Sequence, residues 1–290
     1  MADDGILSSL RYLFADFLDE QDTSPPFLPD GLAEEAVPAV SEGIHLLMDY
    51  QGATYARLYV DRVKRFIGKI DAAMLGEIAR LMADRMAYED AIRIAQLKLA
   101  EYRDSDGQVL STDIKQFRFD ELVDALPEIA AGPILMVLEK FSWEHRRVSI
   151  PFSTASRWGL GRLKAEAGLR RWRLFSIRYG QERVWVERWL HMITRGLLKQ
   201  PQAVSAIIDT ATMIKGHGDA YRQGLADWHA IIDGLVKPTF DGVLPLADLA
   251  GCIKDAREAA MPDPRQASLK RAIAEIRARA IAAGATAAAG

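Results

Sequence analysis

The sequence predicts an all-α protein, a multi-helix bundle with at most one short β-ribbon. Apolar residues recur three and four positions apart through most of the 290 residues, the period of a helix with one buried face. Alternating apolar–polar runs are confined to Gln108–Ser111 and Arg147–Ile150, which are expected to pair as the one ribbon. Hydrophobic residues at 49% and charged residues at 27% describe a chain with enough apolar surface to bury a core, unlike a disordered one.

The elements follow in order. Ile6–Leu18 is a junction-like N-terminal helix within 1–24, closed by a linker containing Pro25, Pro26 and Pro29. A helical domain then spans 30–279. Ala33–Met48, Tyr50–Ile67 and Ala72–Tyr102 carry helical apolar stripes, and Asp104–Gly107 forms a turn. Phe119–Leu126 and Ile134–Lys140 flank a loop bracketed by Pro127 and Pro133. Ala155–Gly168, Leu169–Leu198 and Ala203–Lys215 come next. Gly216 and Gly218 end the last of these, because glycine adopts the left-handed conformation that closes a helix. Asp219 is placed to cap Ala220–Leu235. Leu246–Met261 and Pro264–Ala282 complete the set, and the alanine-rich residues 280–290 are expected to be a disordered tail.

One stretch concentrates the chemistry. Gly168 to Met192, GLRRWRLFSIRYGQERVWVERWLHM, mixes six arginines with five aromatic rings. Residues 157–188 hold nine Lys/Arg and three Glu, a formal +6 within a chain of net charge -3. Cations beside flat rings suit nucleic acid. Trp, Tyr and Arg also anchor protein interfaces. On one continuous helix, Trp172, Phe175, Tyr179, Val186, Trp189 and Ile193 share an arc of roughly 100°, while the arginines spread around it. A phosphate-tracking helix needs its cations in one stripe, so core packing and docking are the better reading.

Two further constellations stand out. Arg85, Glu89 and Arg93 are spaced i, i+4, i+8, which allows an intrahelical ion ladder beside Tyr88 and Asp90. It is either a part-buried charged site or a solvated ladder of little energetic value, the second being favoured. In MIKGHGDAYRQG, Lys215, His217 and Asp219 surround two glycines at a helix start, a place where an anion can bind. The segment lacks P-loop spacing and offers at most two metal ligands, so no metal site is expected.

Other classes are excluded or unsupported. Cys252 is the only cysteine, so no internal disulfide and no iron–sulfur cluster held by this chain alone is possible. Asp3 and Asp4 stand where a signal peptide is basic, and no apolar run reaches membrane-spanning length, so a cytoplasmic protein that does not enter the membrane is expected. No G-x-G-x-x-G, H-E-x-x-H, G-x-S-x-G or C-x-x-C occurs. The five histidines are scattered, and no catalytic residue is named.

Four segments carry a resemblance: LLMDYQGATYARLYVDRV (Leu46–Val63), MAYEDAIRIAQLK (Met86–Lys98), GLRRWRLFSIRYGQE (Gly168–Glu182) and IKGHGDAYRQG (Ile214–Gly224). In this order they resemble the C-terminal helical region of the indolepyruvate oxidoreductase beta-subunit family, within the 2-oxoacid:ferredoxin oxidoreductases. Asp4–Phe17 resembles the junction that follows that family's catalytic gamma-type domain. His217 stands where the family has Tyr, and Ala220 where it tends to Thr. The catalytic and cofactor modules of the family have no counterpart here.

The resemblance implies a non-catalytic helical subunit or module of a complex that oxidatively decarboxylates arylpyruvates to acyl-CoA and CO2. It would brace or gate the catalytic subunits, which are its expected partners. Thiamine diphosphate and iron–sulfur clusters would sit on those partner chains, with no cofactor in this one. Arg170, Arg171, Trp172 and Arg173 are the expected docking residues. Tyr88, Glu89, Asp90, Arg93, Lys215, His217 and Asp219 are the candidate ligand contacts. The alternative is a free-standing module that binds an anion, CoA-like or nucleic acid, through the Arg/Trp segment. Nucleic acid is the weaker choice because net charge and arginine dispersal oppose it.

Overall fold

The computed structural model describes residues 24–289 apart from 109, 127, 144, 145, 217, 261 and 262; of 128–130 and 284–289 it describes the backbone alone. The expected N-terminal helix Ile6–Leu18 lies outside the described residues. Among the described residues the fold is mostly α with one two-stranded antiparallel sheet. The expected single domain over 30–279 resolves into two compact units, one ending at Trp185 and one beginning at Val186.

The first unit opens with a 3-10 turn, Glu34–Ala36, that runs into α1 (Val37–Tyr50), where Pro38 occupies the first helical turn. Gly52, at φ 125, lets the chain reverse into α2 (Ala53–Lys64). Gly43 on α1 is pressed against α2, since an added Cβ would lie 2.3 Å from the Tyr59 hydroxyl. α3 (Ala72–Met86) is capped by Asp71, which accepts from the Met74 N–H at 2.8 Å.

α4 (Ala91–Asp104) begins after a four-residue break and is capped by Asp90, which accepts from the Arg93 N–H at 2.6 Å. The single helix expected over Ala72–Tyr102 is therefore two helices. An aspartate is a stronger helix starter than a helix interior residue, and here it starts one.

β1 (Thr112–Arg118) pairs with β2 (Arg147–Ser153), Lys115 opposite Ile150. The second strand lies where it was expected. The first begins just after Gln108–Ser111. Phe117 and Phe152 turn inward to meet Ile94, Ala95, Leu99 and Leu163 in one apolar cluster. Between the strands lie α5 (Phe119–Asp124) and α6 (Glu128–Lys140). Pro133 sits inside α6, so the loop expected between Pro127 and Pro133 is helical instead. α7 (Arg157–Gly168) follows, capped by Ser156.

Leu169–Phe175 is a 3-10 helix, and Ser176 is extended at φ -73 and ψ 148 before α8 (Ile177–Lys199) starts. The Ser176 hydroxyl donates to the Arg173 carbonyl at 2.7 Å and accepts from the Tyr179 N–H at 3.1 Å. One side chain thus ends one helix and starts the next, a local bonding habit of serine. The continuous helix expected over Leu169–Leu198 breaks there. Trp172 and Phe175 leave the aromatic arc and are exposed, while Tyr179, Val186, Trp189 and Ile193 stay buried.

The second unit takes the rest of α8, then a 3-10 turn (Pro201–Ala203), α9 (Val204–Asp209) and another 3-10 turn (Thr210–Met213). α10 (Gly218–Ile231) packs tightly here. A Cβ on Gly224 would lie 2.2 Å from the Met213 carbonyl. Trp189 and Trp228 are both fully buried, their indole N–H groups donating to the Ile207 carbonyl (3.2 Å) and the Thr210 hydroxyl (3.0 Å).

A π-turn, Ile232–Val236, leads into α11 (Lys237–Phe240). Pro238 has no N–H to give the Gly234 carbonyl, and Arg277 Nη1 donates to that carbonyl at 2.7 Å instead. α12 (Leu249–Ala259), capped by Asp248, and α13 (Ala267–Ala289) complete the unit. α13 stays helical through the alanine-rich stretch expected to be disordered, in keeping with alanine's high helix propensity.

Candidate functional site

Three chain reversals of the first unit converge on Arg173. The end of α1 brings Asp49, Tyr50 and Gln51. The break between α3 and α4 brings Tyr88 and Asp90. The 3-10 turn brings Arg173, and α8 brings Arg178, Tyr179 and Glu182.

Arg173 is 1% exposed and spends its whole donor set inside the chain. Nε donates to Asp90 Oδ2 at 2.7 Å and Nη2 to Asp90 Oδ1 at 3.0 Å, a bidentate fork. Nη1 donates to the Tyr50 carbonyl (3.0 Å) and to Gln51 Oε1 (3.1 Å); Nη2 also reaches Gln96 Oε1 (3.4 Å). The guanidinium lies over the Tyr50 ring at 3.9 Å. Gln51 returns the contact, donating from Nε2 to the Arg170 carbonyl at 2.9 Å. Burial alone would lower the Arg173 pKa, but the Tyr50 phenol and the Asp90 carboxylate outweigh it and hold the group above its usual value.

Three more ion pairs flank this one, two of them sharing Glu182. Glu182, also buried, accepts from Arg85 and, at 2.9 Å, from Arg178 Nε. Arg93 Nη1 reaches Asp49 Oδ2 at 2.5 Å. Tyrosines fill the space between the pairs. Tyr50 contacts Tyr55 and Tyr88 with ring centroids 6.1 and 5.8 Å apart, and Tyr55 contacts Tyr179 at 5.9 Å. Tyr55 donates to the Met86 carbonyl at 3.0 Å, whereas the Tyr50 hydroxyl is buried without a hydrogen-bond partner among the described residues. Burial pushes the Tyr50, Tyr55 and Tyr88 phenols well above 10.0. At neutral pH they stay protonated, and the carboxylates they surround are already paired. The arrangement is a rigid electrostatic frame that pins three loops and one helix.

Several expectations change against this geometry. Arg85, Glu89 and Arg93 form no intrahelical ladder. The break at Tyr88–Asp90 separates them, and they pair with Glu182, Lys115 (3.7 Å) and Asp49 respectively. Neither arginine is solvated; both are buried. Of the docking quartet, Arg170, Arg171 and Trp172 are exposed, but Arg173 is internal and has no donor left for a partner. Lys215 and Asp219 are exposed, and Asp219 pairs with Arg222 at 2.9 Å. Asp219 lies inside the first turn of α10, which starts at Gly218, so it is not the cap. His217 lies outside the described residues.

Tyr50, Gln51, Gln96 and Glu182 were not singled out by sequence reasoning, and Arg178 stood out only as one of the six arginines of the Arg/Trp stretch. Asp90 and Ser176, both good N-cap residues within long helical patterns, were the available signals for the breaks that gather them.

A groove in the second unit is the other feature of note, about 780 Å³ and lined by α9, α10 and α12. Among the described residues no group of three or more His, Cys, Asp or Glu is placed to hold a metal, and no helix is long and apolar enough to cross a membrane.

Fold and frame together define a mostly helical protein whose first unit is organised by a buried arginine–carboxylate–tyrosine network. Residues 36–234 match the family of unknown function DUF6537, and the chain belongs to that family. Comparison with curated proteins and with solved structures gave no match.

Proposed function

We propose that this chain is a non-catalytic helical subunit or module of an indolepyruvate-type 2-oxoacid oxidoreductase, bracing or gating the catalytic chains. Thiamine diphosphate and iron–sulfur clusters belong, on this reading, to those partner chains, and the complex works in the cytoplasm. The observation that carries it is the convergence of three resembling segments. Asp49, Tyr50 and Gln51 come from the first, Tyr88, Asp90 and Arg93 from the second, and Arg173, Arg178 and Glu182 from the third. Residues that recur in order along a chain and meet in one buried frame are what a shared fold requires.

The frame also sharpens where docking occurs. It holds the Leu169–Phe175 turn rigidly from beneath, so that Arg170, Arg171 and Trp172 project outward. A rigid platform lowers the entropy lost on association, and Trp and Arg are the usual anchors of interfaces.

The nucleic-acid alternative loses ground for a specific reason. Arg162, Arg173, Arg178 and Arg188, four of the nine cations of the +6 segment, are already paired with carboxylates, which reduces the charge it can offer to phosphates.

The test is purification of the tagged full chain from its native host, with identification of co-purifying chains and assay of arylpyruvate oxidation. Thiamine-dependent partners that are lost on Trp172→Ala support the reading. A native complex that lacks this chain and keeps full activity overturns it.

A further inference from the structure

The groove of the second unit has a chemistry of its own, independent of the subunit role. Its volume, about 780 Å³, lies within the range of small-molecule sites. Ala206, Met213 and Gly251 give it a small apolar lining.

Asp227 of α10 faces it and is only 6% exposed. Asp227 Oδ1 accepts from Gln223 Nε2 and from Gln266 Nε2, each at 2.8 Å. Two amides, Gln223 from α10 and Gln266 from just before α13, thus hold one oxygen of the carboxylate. Its Oδ2 accepts no hydrogen bond from any described residue. That oxygen keeps some exposure on an otherwise buried residue that lines the groove, so it is open to a donor from a ligand.

Arg257 of α12 lines the same groove. Its Nη2 donates to Thr212 Oγ1 at 3.0 Å, and its Nη1 lies 3.5 Å from Asp209 Oδ2. Thr212 is itself held, donating to the Asp209 carbonyl at 2.7 Å. The guanidinium is therefore held in place and keeps its Nε–H uncommitted. Lys254, one turn earlier on α12, adds a second exposed cation, loosely paired at 4.0 Å with Glu258, which lines the groove too.

We propose that this groove binds a small zwitterion, with an ammonium donating to Asp227 Oδ2 and a carboxylate accepting from Arg257 and Lys254. A bare anion would gain nothing from Asp227 Oδ2, and a bare amine would make no use of the Arg257 Nε–H. Free amino acids and short peptides share the required pair of charges.

Isothermal titration of the full chain separates these sources, with L-alanine, L-leucine and the dipeptide Ala-Leu as zwitterions and acetate and ethylamine as single-charge controls. Saturable binding of a zwitterion is expected, with both controls at least about tenfold weaker, since each forfeits one charge-assisted contact. Asp227→Asn keeps an acceptor for the two glutamines but removes the charge, and should weaken binding at least about tenfold. Arg257→Gln is the second variant, expected to abolish discrimination between the zwitterion and ethylamine. The amino acids binding more tightly than Ala-Leu assigns the free amino acid as ligand; the reverse assigns a peptide. No saturable binding of any zwitterion up to about 10 mM overturns the proposal. So does unchanged affinity in folded Asp227→Asn. Failure of the oxidoreductase complex to form would leave the titration result unaltered.

Discussion

Arg173 of the first unit and Arg188 of the second belong to the same Arg/Trp stretch, and each pairs with an aspartate. Their surroundings are opposite. The Arg173 side chain is 1% exposed and its partner Asp90 12%, while Arg188 is 27% exposed and its partner Asp233 50%. Arg173 bonds groups from two distant stretches of chain, Tyr50 and Gln51 in one and Asp90 and Gln96 in the other. Among the described residues Arg188 hydrogen-bonds Asp233 and His229, both near the end of α10. Two like ion pairs therefore do different work. Water competes for the second and is excluded from the first, so removing one partner of the buried pair strands a charge and removing one partner of the surface pair does not.

The largest test of this contrast is Arg173→Ala. It leaves the Asp90 carboxylate buried without its fork and should cost about 3–5 kcal/mol, read as a shifted midpoint in urea unfolding followed by a probe in the first unit. A loss below about 1 kcal/mol would mean the frame is dispensable. Gly224→Ala probes what makes the second unit sensitive instead. Its new Cβ meets the Met213 carbonyl 2.2 Å away, so backbone must shift, at about 1–3 kcal/mol by the same assay. Arg188→Ala should cost about 0–1 kcal/mol, and 1 M salt should erase most of that difference while leaving the Arg173→Ala cost intact.

The two units should also respond to pH at opposite ends. The Tyr50, Tyr55, Tyr59 and Tyr88 phenols are raised by burial above 10.0. Their neutral form is the one the fold favours, so their contribution is full below pH 10 and is lost as pH rises beyond it. Phenolate absorbance should show these four titrating only as the first unit unfolds. His229 is lowered from 6.5 by burial and by Arg188. Its contribution is present above pH 6.5 and falls as pH drops through the lowered value, a small effect because the ring is partly exposed. Ring NMR shifts of His229 would show it, and Arg188→Ala should raise the midpoint.

Much of the fold was legible in the chain. Helical periodicity identified most helices, β2 fell on its predicted strand, and Phe119–Asp124 lay within its predicted span. The frame was only partly legible. Arg173, Tyr88, Asp90 and Arg93 were singled out, but as docking and ligand residues, because adjacent arginines in RRWR look alike in sequence. The ladder of Arg85, Glu89 and Arg93 failed for a local reason: Asp90 offered the Arg93 N–H a side-chain bond, and that capping bond started a new helix. Ser176 did the same for the Arg/Trp stretch, and the aromatic arc lost Trp172 and Phe175 with it.

The sequence by itself determined the helical class, because apolar spacing is a property of neighbours along the chain. It also determined where caps were available, since aspartate and serine carry that preference locally. Only the tertiary structure decided which arginine of Arg170, Arg171 and Arg173 became internal. That choice depends on Asp90, Tyr50 and Gln51 arriving from distant segments to desolvate one guanidinium and satisfy every donor it has. Burial is a many-body outcome of packing, and no local spacing encodes it.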